Sequence, residues 1–226
     1  VSSFSTYADG RINDAWKSRL ELGHSENREK TFDKLSDVRE VFNTYRDSLT
    51  WQNDLTLDDR NSLIVGGDWY EDRINSSTPY DEDSRWNRAA FIQHRFRGET
   101  FSTELGVRRD QNQQFGAQNS WSGTLTLPVN PDNDVLLTYS ESFRAPTFND
   151  LYYPDFSNPD LAPETAKSYE LQWRSQLSDS ARLETSLYRT DLEDAIIFGS
   201  NSRPQNVASA RINGFEAALS QELFGW

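Results

Sequence analysis

The chain has 226 residues, of which 35% are hydrophobic and 13% aromatic, and its formal net charge is -13. This length fits one large all-β domain or a piece of a larger protein, and the aromatic content argues against a disordered acidic chain. The acidic balance argues against a nucleic-acid partner, because little positive charge is available to neutralise phosphates. The absence of cysteine excludes disulfide bonds and thiolate metal sites.

The chain shows neither an apolar helix nor a targeting segment. No run of about 18 apolar residues is present, so no helix is predicted to cross a membrane. The first residues, Val1-Ser-Ser-Phe-Ser5, lack the basic and apolar regions of a signal peptide. Because the sequence also begins without a methionine, we expect it to be an excerpt of a longer protein.

Alternating apolar and polar residues are the main signal along the chain. About eleven segments show the period of two that is typical of β-strands with one apolar face. In chain order they lie near residues 4–8, 16–23, 41–57, 63–70, 88–96, 101–108, 121–127, 134–143, 168–177, 181–191 and 215–219. Within 88–96 the run Ala89-Ala-Phe-Ile92 is apolar throughout, so the sequence does not predict which of its residues share a face.

Both a soluble β-sandwich and a membrane-spanning barrel show such alternation. Charged residues at mid-strand, such as Lys17 and Glu170, require a face in contact with water. Strands of about ten residues exceed the five or six usual in globular proteins and match a tilted strand that crosses a bilayer. The pattern therefore favours the barrel, with the sandwich as the alternative.

The links between these segments alternate in length. Short links rich in Gly, Asp and Asn are predicted at 9–14, 58–61, 97–99, 130–133 and 178–180. Longer links are predicted at about 24–38, 74–87, 144–166 and 192–206, with one of intermediate length at 111–118. This alternation is typical of a meander and not of a Greek key. The predicted fold is an all-β, antiparallel up-and-down transmembrane β-barrel.

Motifs in the second half of the chain resemble TonB-dependent outer-membrane receptors. One is Ser142-Phe-Arg-Ala-Pro146 at a strand end, followed by Asn158-Pro-Asp-Leu-Ala-Pro-Glu164 and Tyr169-Glu170. The next is Arg211-Ile-Asn-Gly-Phe-Glu216, which comes after Asn206. The signature residues for which this resemblance implies structural roles are Pro146, Pro163, Glu164, Gly214 and Glu216.

Within that family the chain is most similar to cobalamin (vitamin B12) transporters. The similar stretches are 108–116, 188–194 with Ile196-Ile197, and the Ala210-Arg211 pair. The family's barrel has 22 strands, so residues 1–226 would form about eleven of them, the central part of the barrel domain. The resemblance implies that the plug domain, the TonB box and the closing strands lie outside this sequence, and that Trp226 follows a strand by truncation.

The resemblance also implies a location and partners. The expected place is the bacterial outer membrane, where the receptor would cross several times and import a small-molecule ligand with energy from TonB, acting through the absent plug. Outer-membrane lipid and lipopolysaccharide are the other expected partners. No cofactor is expected here, because the calcium that cobalamin transporters bind would lie upstream of this segment. The acidic stretch Tyr80-Asp-Glu-Asp-Ser84 is expected to be a solvated loop.

Candidate ligand-binding residues lie on the long link after residue 144. Tyr152, Tyr153 and Phe156 are aromatic residues on a predicted outer loop, where a flat ligand could stack, and Arg144 stands at its start. Glu164 and Glu216 are expected on the wet face, paired with basic neighbours such as Arg174 or Arg211. No catalytic or metal spacing surrounds His24 or His94, so an enzyme is not expected. A siderophore or haem receptor and a soluble all-β adhesin or lectin-like binding module remain the alternatives.

Overall fold

The computed structural model describes residues 1–33 and 38–222, which form one antiparallel sheet of eleven strands with each strand hydrogen-bonded to its neighbours in chain order. A short helix, α1 (Phe148–Tyr152), lies between the eighth and ninth strands. The strands are β1 (Ser2–Asn13), β2 (Trp16–Asp33), β3 (Val38–Thr56), β4 (Asn61–Ser76), β5 (Ser84–Arg97), β6 (Ser102–Asn112), β7 (Gly116–Asn130), β8 (Asn133–Arg144), β9 (Glu164–Ser178), β10 (Ala181–Phe198) and β11 (Pro204–Gln221). The predicted meander is confirmed.

The register gathers the apolar residues on one face, called the outer face below. Residues directly opposite each other in an antiparallel pair point to the same side of the sheet. One row across five strands consists of Leu125, Leu137, Leu171, Leu187 and Phe215. A second row consists of Val65, Ile92, Val107 and Trp121. The opposite, inner face carries most of the charged residues of β3–β6.

Within residues 1–33 and 38–222, no second layer covers the outer face. Leu105, Leu171 and Trp173 are 55%, 44% and 41% exposed, and Val107 is half-buried. A sandwich core would have enclosed all four side chains. The buried apolar residues among those described are Ile74, Leu136, Pro146, Phe148, Leu151, Leu161, Ala195 and Pro204. The sandwich alternative is therefore wrong for this fold.

The run of apolar residues in β5 is divided between the two faces. Ile92 pairs with Val65 and Val107 and belongs to the outer face. Its neighbour Phe91 is on the inner face, where it pairs with Gly66 and its ring fills the space that a side chain at that glycine would need. The register across three strands therefore settles the parity that the local sequence left open.

The strands are longer, and most links shorter, than the sequence predicted. The predicted links 74–87, 111–118 and 192–206 contract to 77–83, 113–115 and 199–203, whereas 145–163 remains long. The predicted link at 24–38 is also wrong, because β2 continues to Asp33 and β3 begins at Val38; residues 34–37 lie outside the described residues. In residues 24–31 of β2, for example, every side chain is polar or charged, so alternation disappears although the ladder of backbone hydrogen bonds continues.

The sheet does not close within the described residues. β1 pairs only with β2, and β11 pairs only with β10, so each presents one unpaired edge. All residues of β1 are exposed. Among the described residues, no helix has both the length and the apolar character needed to span a membrane. Trp226, which we expect to follow a strand by truncation, lies outside the described residues.

Candidate functional site

The link between β8 and β9, residues 145–163, is called the β8–β9 loop below. Pro146 ends the strand pairing, because proline has no N–H to donate to a ladder. Thr147 then caps α1: its side chain accepts a hydrogen bond from the backbone N–H of Asp150, and the Asp150 carboxylate accepts one from the backbone N–H of Thr147. This reciprocal capping box fixes the first turn after the strand.

The β8–β9 loop folds back against the inner face of the sheet. Leu151 is fully buried, and Phe148, Pro146 and Leu161 are also buried. Because a loop that projected into solvent would leave these apolar side chains exposed, their burial shows that the loop packs as a compact unit. It supplies half of the buried apolar residues among those described.

Hydrogen bonds tie the loop to its neighbours on one side. The Tyr80 hydroxyl, on the β4–β5 link, donates to Asn149 Oδ1 at 2.6 Å. The Gln114 side-chain amide, on the β6–β7 link, donates to the Tyr152 hydroxyl at 2.7 Å. These contacts join three links that are distant in sequence into one surface.

A second set of contacts joins the end of the loop to the β10–β11 region. The Asn158 side chain donates to the Pro204 carbonyl at 3.1 Å, and Arg203 Nε donates to the Asp155 carbonyl at 3.1 Å. Asn206 contacts both polar groups of Ala162, with Oδ1 accepting from its N–H at 2.9 Å and Nδ2 donating to its carbonyl at 3.0 Å. The loop therefore bridges neighbours on both sides.

A row of aromatic rings crosses this surface. The ring centroids of Phe42 and Tyr80 are 6.0 Å apart, those of Tyr80 and Tyr153 6.3 Å, and those of Tyr153 and Phe156 6.5 Å. Burial raises the pKa of the Tyr80 hydroxyl further above its usual range, and the hydroxyl donates to Asn149 as any protonated tyrosine can. Phe156 is 53% exposed, which leaves a ring face available at the end of the row.

A cavity of about 560 Å³ lies beside the start of the loop on the inner face. The arginines that line it are Arg46, Arg85, Arg108 and Arg144. They come from β3, β5, β6 and the end of β8, so only the register and the fold of the loop bring them together.

Three of these arginines hold carboxylates. Arg46 donates two hydrogen bonds to Asp72, at 2.6 and 2.8 Å. Arg108 contacts both Asp68 and Asp110, and Asp110 also accepts a hydrogen bond from the buried Asn87. Such two-pronged pairs fix the plane of each guanidinium group.

Arg144, at the end of β8, joins the two ends of the β8–β9 loop by pairing with Glu164 at the start of β9. It donates to both oxygens of Glu164, at 2.6 and 3.0 Å, and the same carboxylate accepts from the backbone N–H of Ile196 at 3.1 Å. The prediction that Glu164 pairs with a basic side chain is confirmed, but the partners named for it are wrong. Arg174 donates to Gln172 instead, and Arg211 donates to Asp191 on the outer face.

The remaining predicted residues are distributed as follows. Tyr153 and Phe156 lie together in the aromatic row, whereas Tyr152 turns toward Gln114. Glu216 is exposed opposite Ser186 and has no ion-pair partner in the described part of the chain, contrary to expectation. Gly214 lies opposite Tyr188, and Pro163 immediately precedes β9. In residues 1–33 and 38–222 no group of acidic or histidine side chains could hold a metal ion.

Sequence reasoning missed Tyr80 and the arginines Arg46, Arg85 and Arg108. Arg46 and Arg108 lie at strand positions that the alternation already places on the polar face, whereas Arg85 falls within the predicted link 74–87, and the structure puts it at an inward position of β5. The available signal was the presence of arginine at these inward positions on neighbouring strands, but the register was needed to align them.

Comparison with known proteins identifies relatives. The family model described as "TonB dependent receptor-like, beta-barrel" matches residues 2–226. A curated relative, "Vitamin B12 transporter BtuB" of Photobacterium profundum, is 31% identical over 218 residues, which cover 92% of this chain and 35% of the relative. The chain thus spans about a third of the length of this relative.

Solved structures share the fold at low sequence identity. A mutant of the ferric enterobactin receptor PfeA from Pseudomonas aeruginosa is similar with a TM-score of 0.81 at 15% identity, covering 96% of this chain and 40% of that one. The copper transporter OprC is similar with a TM-score of 0.79 at 16% identity, covering 99% of this chain and 43% of that one. These two proteins are named for different ligands, so fold similarity alone does not identify a ligand.

Proposed function

The chain belongs to the TonB-dependent receptor-like β-barrel family, and from this premise we propose that the protein containing it imports cobalamin across the bacterial outer membrane. The observation that carries the choice of ligand is the 31% identity to a vitamin B12 transporter over 92% of the chain. The ferric enterobactin receptor and the copper transporter share only 15% and 16% identity with this chain, which supports a common fold and no particular ligand.

The proposed location follows from the two faces of the sheet. The outer face would contact hydrocarbon with its rows of Leu, Val, Ile and Phe, and tyrosines would lie near the polar boundary. The candidates are Tyr139 and Tyr169, whose ring centroids are 5.1 Å apart. The wet inner face would line the interior of the closed barrel. Energy would come from TonB acting on a plug domain encoded outside residues 1–226.

In this proposal the β8–β9 loop is part of the ligand site. A corrin ring is flat and large, and the aromatic row from Phe42 to Phe156 offers ring faces on which it could stack. The loop is held on both sides by neighbouring links, so little ordering would accompany binding. Arg144 would position the base of the loop through Glu164 and not contact the ligand itself.

A ferric siderophore is the second candidate. The four arginines that line the 560 Å³ cavity favour it, because ferric catecholate complexes carry several negative charges. Three of those arginines already hold carboxylates, which leaves little net positive charge for a multiply charged ligand. Cobalamin therefore remains the first proposal.

Calorimetry on the purified full-length protein in detergent separates the two candidates. Titration with cyanocobalamin is expected to give at least roughly 100-fold tighter binding than titration with ferric enterobactin, a difference of about 2.7 kcal/mol. Tight binding of the ferric complex with no binding of cyanocobalamin would replace the first proposal by the second. Uptake of radiolabelled cyanocobalamin by cells with and without TonB tests the energy source separately.

A further inference from the structure

Arg85 differs from the other arginines of the cavity in its surroundings. It lies on the inner face near the start of β5 and is only 9% exposed. Its Nη1 donates to the Pro146 carbonyl at 2.9 Å. Its guanidinium carbon lies 5.1 Å from the ring centroid of Phe148 and 5.5 Å from that of Phe115. The group is therefore held in place by one carbonyl and two rings.

Within residues 1–33 and 38–222, no carboxylate lies within ion-pair distance of Arg85. Arg46, Arg108 and Arg144, in the same cavity, each contact a carboxylate oxygen at 2.6 Å. A buried charge is costly unless an opposite charge compensates it. Among the four arginines of this cavity, Arg85 alone makes no direct ion pair within the described residues, and Asp72, which Arg46 holds, acts on it only from beyond ion-pair distance.

Arg85 also stands where a ligand could reach it. It lines the 560 Å³ cavity together with Arg144, and it lines a second cavity of about 380 Å³ together with Thr147 and Phe148. Apart from the Nη1 contact with Pro146, its N–H donors make no hydrogen bond to a described residue. A planar guanidinium with free donors at a cavity wall is suited to an anionic oxygen group, above all a phosphate.

We propose that Arg85 binds the phosphodiester of cobalamin, an inference that rests on the proposed function. Cobalamin carries one such group, which joins a side chain of the corrin to the ribose of its base, and this group has a single negative charge at neutral pH. One guanidinium without a direct ion pair matches one negative charge. Because Phe115, Phe148 and Pro146 already orient the guanidinium, little side-chain entropy is lost on binding.

The test compares two corrinoids on the full-length protein. Dicyanocobinamide has the corrin ring but lacks the phosphodiester, the ribose and the base. Arg85→Gln is expected to weaken cyanocobalamin binding by roughly 10- to 100-fold, the usual effect of losing a charge-assisted hydrogen bond, and to leave dicyanocobinamide binding unchanged. Arg85→Lys, which keeps the charge but not the planar fork, is expected to fall between the wild type and Arg85→Gln.

Arg88→Gln is the matched control, because Arg88 lies on the same strand but is exposed on the outer face. Both corrinoids should bind this variant as they bind the wild type. Equal weakening of both corrinoids by Arg85→Gln would show that Arg85 only supports the loop through Pro146, and would overturn the proposal. Unchanged cyanocobalamin binding would also overturn it, and would indicate that a carboxylate from outside this chain pairs with Arg85. If the wild type binds neither corrinoid, the proposed function itself fails.

Discussion

Gly214 in β11 occupies a position with no room for a side chain. It lies opposite Tyr188 of β10, and a Cβ built on it would overlap the end of the tyrosine ring. The ring therefore lies across the glycine on the inner face. This contact between a ring and a glycine restrains the register of β10 and β11 in addition to the backbone hydrogen bonds. It also accounts for a glycine within a strand, where this residue is otherwise unfavourable.

We expect Gly214→Ala to lower the free energy of unfolding of the full-length protein by about 1–3 kcal/mol, because the ring must leave its position. Urea unfolding in detergent, followed by tryptophan fluorescence, measures the change. Gly10→Ala is the control, since a Cβ at Gly10 meets nothing within 4 Å, and it should change stability by less than about 0.5 kcal/mol. An undiminished effect of Gly214→Ala in a Tyr188→Ala background would contradict the packing explanation.

Among single residues, the sequence predicted those at the start of the β8–β9 loop better than those that line the cavity. Arg144 and Pro146 do mark the end of a strand, as their chemistry indicates. The partner of Glu164 was predicted wrongly, because that side chain meets Arg144 across the base of the loop. Ion pairs between strands depend on the register and on the conformation of the loops. Neither can be read from how far apart two residues lie in the sequence.

At the scale of elements, the β8–β9 loop depends on a few side chains whose polar atoms form hydrogen bonds with its backbone N–H and carbonyl groups. Asn206 of β11 satisfies both the N–H and the carbonyl of Ala162, and its Nδ2 also donates to the Asp194 carbonyl at 2.6 Å. A loop segment that lies next to a strand without pairing with it still needs partners for its polar groups. This asparagine supplies them at the end of the loop.

We expect Asn206→Ala to loosen the end of the β8–β9 loop, because two polar groups of Ala162 lose their partner. Limited proteolysis of the full-length protein in detergent should cleave within 145–163 several times faster than in the wild type, while the barrel remains intact. Asn213→Ala, on the same strand but exposed on the outer face, is the control and should leave the cleavage rate unchanged. Equal cleavage rates in Asn206→Ala and the wild type would show that other contacts suffice.

The elements themselves were largely predictable, and the reason is physical. A strand with one apolar and one wet face must alternate, so the middle of each strand, such as 101–108, was visible in the sequence. The strand ends were not visible, because β2 and β3 remain paired as far as Asp33 and Val38, where alternation gives no signal. The fold of the loop onto the inner face was also not visible, since the burial of Leu151 depends on contacts with distant segments.

At the scale of the whole molecule, the sheet carries two features that a soluble protein normally avoids. Its outer face exposes large apolar side chains along several strands, including Leu105, Trp121 and Leu187. Its terminal strands β1 and β11 each leave one row of backbone N–H and carbonyl groups unpaired. A long, flat, apolar edge is a template for pairing with other chains, and a barrel removes it by closure.

We therefore expect residues 1–226, produced alone, to associate in aqueous buffer without detergent. Size-exclusion chromatography with light scattering should find oligomers or aggregates, because both the edges and the outer face gain from burial against another copy. The full-length protein in detergent serves as the control and should be monodisperse. Adding detergent to the 226-residue chain should cover its outer face but not its edges, so association should diminish without disappearing. A monomer in plain buffer would contradict the assignment of the outer face to hydrocarbon.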